Sequence, residues 1–219
     1  MIITRDDSAG ICSLQHFLSQ HFEMKDLGTL SYFLELEVTS SSDEYYLSQA
    51  KYASDLLSKV GITNNKTSST PLEYNAKLTP LDGEPISDAT CYLQLVGSLI
   101  YLTIIRLDIS HIVGMVSQFM DALRYVHYAI VLQILRYIKD TLYHGLHNSS
   151  RSSLELHAYS DADWAGDSTN RCSITSFYFL LGSSLVSWCS KKQDVVSRSS
   201  TEAKYRALAD TTCKLVWLC

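Results

Sequence analysis

The stretch LELHAYSDADWAGD, residues 154–167, decides how the chain is read. Leu154, Leu156 and Ala158 fall on one side and Tyr159 and Asp161 on the other, the period of two that marks a half-buried strand. It ends in three carboxylates, Asp161, Asp163 and Asp167. Toward the C-terminus, ITSFYFLLG (174–182) and SLVSWCS (184–190) predict two more strands joined through residues 182–184. The segment 197–218 then predicts a helix that opens with Ser199-x-x-Glu202, a capping box. Three strands in a meander followed by a helix mark the beginning of an α+β or α/β domain over residues 148–219, and α+β is the class expected of the chain as a whole.

Toward the N-terminus the period changes to that of helices. Tyr92, Leu95, Val96, Leu99 and Ile100 predict one amphipathic helix, and Ile109, Ile112, Val113, Val116, Phe119 and Met120 a second. Val131, Ile134, Leu135 and Ile138 predict a third, before Gly145. Short connections imply an antiparallel bundle over 88–147. Residues 63–87 carry Pro71, Pro80 and Pro85 among many polar residues and read as a linker or surface excursion. In residues 1–62, an apolar run at 1–4 predicts a strand, and Ile11, Leu14, Phe17, Leu18 and Phe22 a helix. LSYFLELEV (30–38) predicts one half-buried strand and YYLS (45–48) a second. Ala53, Leu56, Leu57 and Val60 predict a helix ending at Gly61.

Net charge is −5, unevenly spread. Residues 1–87 carry 6 Lys/Arg against 12 Asp/Glu, and residues 151–219 carry 8 against 7. No basic footprint of a strong nucleic-acid binder is present beyond Lys191, Lys192 and Arg198. No apolar run is long enough to span a membrane, and the first twenty residues fit neither a signal nor a transit peptide. The six cysteines form no CxxC pair and read as reduced thiols of an intracellular protein, cytoplasmic or nuclear. His144 and His147 have no partner acid or cysteine at ligand spacing and read as strand-edge residues. Trp164, Trp188 and Trp217 read as core rather than base-stacking platforms.

The strings DLGTLSYFLELEV (26–38), YLSQAKYASDLL (46–57), QLVGSLIYLT (94–103), HYAIVLQILRYIKDTLYHGLH (127–147), AYSDADWAGD (158–167) and SWCSKKQDVVSRSSTEAKYRALA (187–209) closely resemble the Pol polyprotein of copia-type retrotransposons, in the family's order. The resemblance implies three parts. Residues 1–62 would be the end of a reverse transcriptase palm with its primer-gripping hairpin, 88–147 a helical thumb or connection, and 148–219 the first half of an RNase H-like domain. It implies Mg2+ and an RNA–DNA hybrid or template-primer as the parent's cofactor and substrate, and an intact polyprotein as a partner, with no membrane.

The same resemblance marks departures. The polymerase aspartates of the family lie in a YVDD turn just ahead of the segment matching Met1, so DNA synthesis is not expected of these residues. Asp161 matches the first RNase H metal ligand, but Lys204 stands where the second, a glutamate, belongs. Two further aspartates would follow Cys219. Glu202 lies roughly 200° round the helix from position 204 and is expected to face elsewhere. Lys204, Leu208, Thr211, Leu215 and Leu218 are expected to form the inward stripe, bringing Lys204 to Asp161. Arg106-Leu107-Asp108 replaces the family's RPD, Glu35 a glycine in FLGLEV, Leu123 a proline, Asp140 a glycine, and RCSITS (171–176) its RRSTTG.

The leading expectation is a degenerate fragment without its own catalysis, binding no metal, and marginal in stability. Two alternatives stay open: a residual nuclease active only with an intact partner, and a non-catalytic factor that binds nucleic acid or polyprotein.

Overall fold

The computed structural model describes residues 7–25, 28–62, 67–72, 78, 83–86, 89–167 and 169–218. The strand expected at 1–4 lies outside them. Mixed α+β architecture is observed, with six helices and two antiparallel sheets among the described residues.

The first sheet runs β1 (Tyr32–Phe33), β2 (Leu36–Ser40), β3 (Glu44–Ser48) and β4 (Leu146–Ser149), in that spatial order. The single strand expected over 30–38 is instead a tight hairpin pairing Phe33 with Leu36. Its two turn residues, Leu34 (φ 47°) and Glu35 (φ 59°), both take the left-handed conformation that a two-residue hairpin turn demands. Alternation in the sequence therefore passes through a turn. Periodicity does not mark β4, because LHNS is short and polar, and only the strand-edge reading of His147 points to it. It forms by pairing with β3, Leu146 opposite Leu47 and Ser149 opposite Glu44. Gly145 permits this approach: a Cβ there would lie 2.2 Å from the Leu47 carbonyl oxygen.

Helix α1 (Ser8–His21) forms where the spacing predicts it, capped by Asp7, whose Oδ1 accepts from the Gly10 N–H at 2.9 Å. Its expected apolar face is only partly covered: Leu14, Phe17 and Phe22 are exposed, Ile11 and Leu18 half-buried, and none of its residues is buried. Helix α2 (Ala50–Val60) buries Ala53, Leu56 and Leu57 and ends at Gly61, whose φ of 72° closes the helix as a left-handed cap. Helices α3 (Thr90–Leu102), α4 (Leu107–Ser117) and α5 (Tyr125–Asp140) join α2 in one core. Val96, Leu99, Ile109, Val116, Ile134 and Ile138 sit at its centre. Removing such side chains from water is the main stabilising contribution. Ile100, expected inward, is exposed. Leu78 is buried in this core, and Leu72 and Ile86 pack against it.

The second sheet is a meander, β5 (Leu156–Ala162), β6 (Ile174–Leu181) and β7 (Ser184–Lys192), with strands in sequence order. Leu154, expected on its apolar face, is 85% exposed and lies outside the strand. Helix α6 (Ser200–Leu218) packs on one face through small residues, Ala203 and Ala207 against Ala162. Buried Gln193 fastens it, its amide donating to Thr175 Oγ1 and the Ala203 carbonyl, each at 3.0 Å. The other face meets the helical core, where the Trp188 indole N–H donates to the Thr103 carbonyl at 3.0 Å. No helix among the described residues is long and apolar enough to cross a membrane.

Candidate functional site

Asp161 and Lys204 meet at the tip of β5. The Lys204 ammonium lies 3.3 Å from Asp161 Oδ1, with side chains 63% and 73% exposed. The Asp161 carboxyl is held below its ordinary range, first by the Ala162 backbone N–H and then by the hydrogen bond and charge of Lys204.

How Lys204 gets there differs from expectation. The stripe that α6 buries is Ala203, Ala207 and Thr211, whereas Leu208 and Leu218 are exposed. Neighbouring helix positions are about 100° apart. Lys204 is thus on the flank of the buried stripe, beside β5, and its long side chain spans the remaining gap. The first turn of α6 is fixed by the expected cap, with Ser199 Oγ accepting from the Glu202 N–H at 3.1 Å. Glu202 accepts from the Arg198 N–H at 2.8 Å and from Arg206 Nη2 at 2.8 Å. These bonds commit Glu202 to the helix start.

The other two carboxylates tie loops. Asp163 Oδ1 accepts from the Ile174 N–H at 2.6 Å, joining β5 to β6. Asp167 Oδ1 accepts from the N–H groups of Thr169 and Asn170, at 2.7 and 3.2 Å. Its second oxygen binds Lys192. Lys191 and Lys192 are adjacent on a strand, so they face opposite sides of the sheet. Lys192 is also held to Gln118 Oε1 at 3.2 Å, on the bundle side. The three basic residues are therefore not gathered into one patch. His147 pairs with Glu44 at 3.3 Å, at the edge of the first sheet.

Residues 1–74 match the family model described as reverse transcriptase (RNA-dependent DNA polymerase). Over all 219 residues the chain is 40% identical to the retrovirus-related Pol polyprotein from transposon RE1 of Arabidopsis thaliana. It is 36% identical, again over the whole chain, to that from transposon TNT 1-94 of Nicotiana tabacum. It is also 40% identical to the uncharacterized mitochondrial protein AtMg00810 of Arabidopsis thaliana, an alignment covering 91% of this chain and 83% of that one. The chain belongs to the Pol family of copia-type retrotransposons. It spans 15% of the RE1 polyprotein and 17% of the TNT 1-94 polyprotein. No solved structure matches.

Reverse transcriptases of this family imply a divalent metal, and the residues of this Pol chain around Asp161 do not fit one. No group of three or more His, Cys, Asp or Glu side chains able to hold a metal occurs among the described residues. The partner Asp161 does have is a cation, which repels a divalent ion instead of sharing it.

Sequence reasoning missed the cleft beside this pair. A hollow of ≈ 380 Å³ between α4 and the meander is lined by Leu107, His111, Tyr159, Asp161, Tyr178 and Cys189, among others. Tyr159 and Tyr178 stack across β5 and β6 with ring centroids 4.8 Å apart. Their cross-strand register was the available signal, but α4 closes the hollow from a distant part of the chain. Burial pushes the Cys189 thiol up, which keeps it protonated and a poor nucleophile. The tryptophans depart from the core reading: Trp217 is 81% exposed and Trp164 53%, and only Trp188 is lodged between sheet and bundle.

Proposed function

We propose that this chain is a catalytically silent stretch of Pol, in which an RNase H-type metal position has become an ion pair. On this reading residues 1–62 are the palm end, 88–147 the helical connection, and 148–219 the start of an RNase H-like fold. Asp161 is the remaining ancestral ligand, and Lys204 occupies the second ligand's place. The observation that carries the proposal is the 3.3 Å contact between these two side chains. A strand tip and the N-terminal part of a helix converge there, as a two-carboxylate metal site requires, but with one charge inverted. The parent activity would be RNA-directed DNA synthesis with metal-dependent cleavage of RNA in RNA–DNA hybrids. Independent nucleic-acid binding receives less support, because Lys192 is committed to Asp167.

Hybrid cleavage and metal binding test the proposal together. Purified chain is expected to leave a labelled RNA–DNA hybrid intact in Mg2+ or Mn2+. Lys204→Glu is expected to create weak Mn2+ binding by calorimetry, and Asp161→Asn added to it to abolish that binding. Metal-dependent cleavage by the unaltered chain, lost on Asp161→Asn, would overturn the proposal. So would a Lys204→Glu variant that binds no more Mn2+ than the parent.

A further inference from the structure

Strand β5 pairs with β6 alone among the described residues, and its ladder bonds fix which way each of its backbone groups points. The Asp163 N–H donates to the Ile174 carbonyl at 3.3 Å, and the Glu155 carbonyl accepts from the Gly182 N–H at 2.8 Å. The β5–β6 register between them is unbroken. In an antiparallel ladder the inward-bonded residues alternate. Residues 155, 157, 159, 161 and 163 therefore bond toward β6, and Leu156, Ala158, Ser160 and Ala162 turn their N–H and C=O groups to the open edge. Along this edge His157, Ala158, Tyr159, Ser160 and Asp161 are all exposed, while Ala162 is buried under α6. The accessible window is thus five residues centred on Tyr159.

We infer that this edge is the contact for a second copy of the chain, β5 pairing antiparallel with β5 about a two-fold axis through Tyr159. That register places Ala158 opposite Ser160 of the second copy. Both have outward backbone groups, so each such pair exchanges two N–H···O bonds. It sets Tyr159 against Tyr159, and His157 against Asp161 on both sides of the axis. Charge argues for a like chain as the occupant. One end of the window carries Asp161 with Lys204, and the other carries His157 with Glu155, 3.6 Å apart. Reversal of the strand brings the carboxylate of the first pair to the imidazole of the second and the Lys204 ammonium toward Glu155. Helix α6 lies over β5 on one face, so the axis sets two α6 helices side by side. Exposed Leu208 then gains an apolar neighbour at a normal helix–helix distance of about 8–10 Å.

Sedimentation velocity over two decades of concentration is expected to show a monomer–dimer equilibrium. The Ser160 N–H is outside the β5–β6 ladder, so Ser160→Pro leaves the fold intact, with unchanged far-UV circular dichroism. It removes one intermolecular bond per copy and should raise the dissociation constant about thirty-fold. His157→Asp sets like charges opposite Asp161 and should weaken the dimer without touching the backbone. Tyr159→Cys, oxidised mildly and digested, should give a disulfide-linked peptide joining position 159 of both copies, seen by mass spectrometry. If Ser160→Pro fails to fold, the His157→Asp and Tyr159→Cys results decide. A monomer at every concentration overturns the inference, including the case in which a strand of a longer Pol chain is the true occupant. A dimer indifferent to these substitutions overturns it as well, as does a thiol introduced by Tyr159→Cys that links only to other positions.

Discussion

Replacing Arg106 with leucine should cost more stability than any surface change in this chain. Arg106 is 3% exposed and immediately precedes α4. Its Nε and Nη2 donate to the two oxygens of Asp108 at 2.8 and 2.6 Å. Nη1 donates to the Thr141 carbonyl at 3.0 Å, and Nη2 also reaches Thr141 Oγ1 at 2.6 Å. One guanidinium thus joins the start of α4 to the end of α5. Arg106→Leu leaves Asp108 without its countercharge and two Thr141 oxygens without their donor. Breaking a buried pair from one side costs about 3–5 kcal/mol. Asp108 keeps 33% of its side chain in water and sits in the favourable first turn of α4, so the lower end, about 3 kcal/mol, is expected.

Acidity separates this explanation from a simple packing loss. Burial pushes the Asp108 carboxyl up, but the Arg106 bonds and charge, with the Tyr137 hydroxyl, outweigh it and the net shift is downward. A carboxyl lowered in the folded state stabilises above its unfolded pKa, and that contribution is lost as pH falls through the folded value. Without Arg106 burial dominates, the folded pKa lies above the unfolded one, and acidification relieves the variant. Urea unfolding, followed by circular dichroism and tryptophan fluorescence, should therefore show the gap between parent and variant narrowing from pH 7 toward about pH 4. Arg106→Leu with Asp108→Leu should recover much of the loss. A loss under about 1 kcal/mol at neutral pH, or a gap that widens on acidification, would refute the reasoning.

Two further perturbations test local geometry. Glu35→Gly should stabilise by about 0.5–1 kcal/mol, because a left-handed residue with a Cβ costs about 1–2 kcal/mol and the lost Tyr32–Glu35 hydrogen bond offsets part of the gain. In the same variant the Tyr32 phenol, pushed up to about 12 chiefly by that hydrogen bond, should return to the ordinary tyrosine range in an ultraviolet pH titration. Ser199→Ala should cost about 1 kcal/mol and speed amide exchange in the first turn of α6, where the Glu202 N–H loses its acceptor. Unchanged exchange at Glu202 would show that the cap does not hold the helix start.

Much of the fold is legible in residue order. The apolar positions of α2 to α5 recur at helical spacing and converge on one core, so periodicity identifies both the helices and their buried faces. The β6–β7 hairpin is equally clear from alternation broken at Gly182, as is the α6 cap from Ser199 and Glu202. Pattern misleads where local sequence and remote partner disagree. The 30–38 run alternates like one strand, yet turns at Leu34 and Glu35 because β2 pairs back onto β1. On α6 the large apolar residues mark an exposed side, while alanines make the close contact with Ala162, so a stripe read from bulk alone falls on the wrong flank. At the candidate site, resemblance points to Asp161 and Lys204, whereas nothing in residue order reveals the cleft or the Tyr159–Tyr178 stack.

By itself the sequence determined element type, the helical core and the family, since these follow from periodicities of 2 and 3.6 and from motif order. Tertiary structure alone decided how β4 pairs, that α1 and two tryptophans stay largely exposed, and that Lys204 reaches Asp161 from the flank of the buried α6 stripe. The physical reason is distance along the chain. Helical and strand periods are local properties of the backbone, but pairing, burial and charge compensation depend on which remote segment arrives opposite, and only the folded chain fixes that.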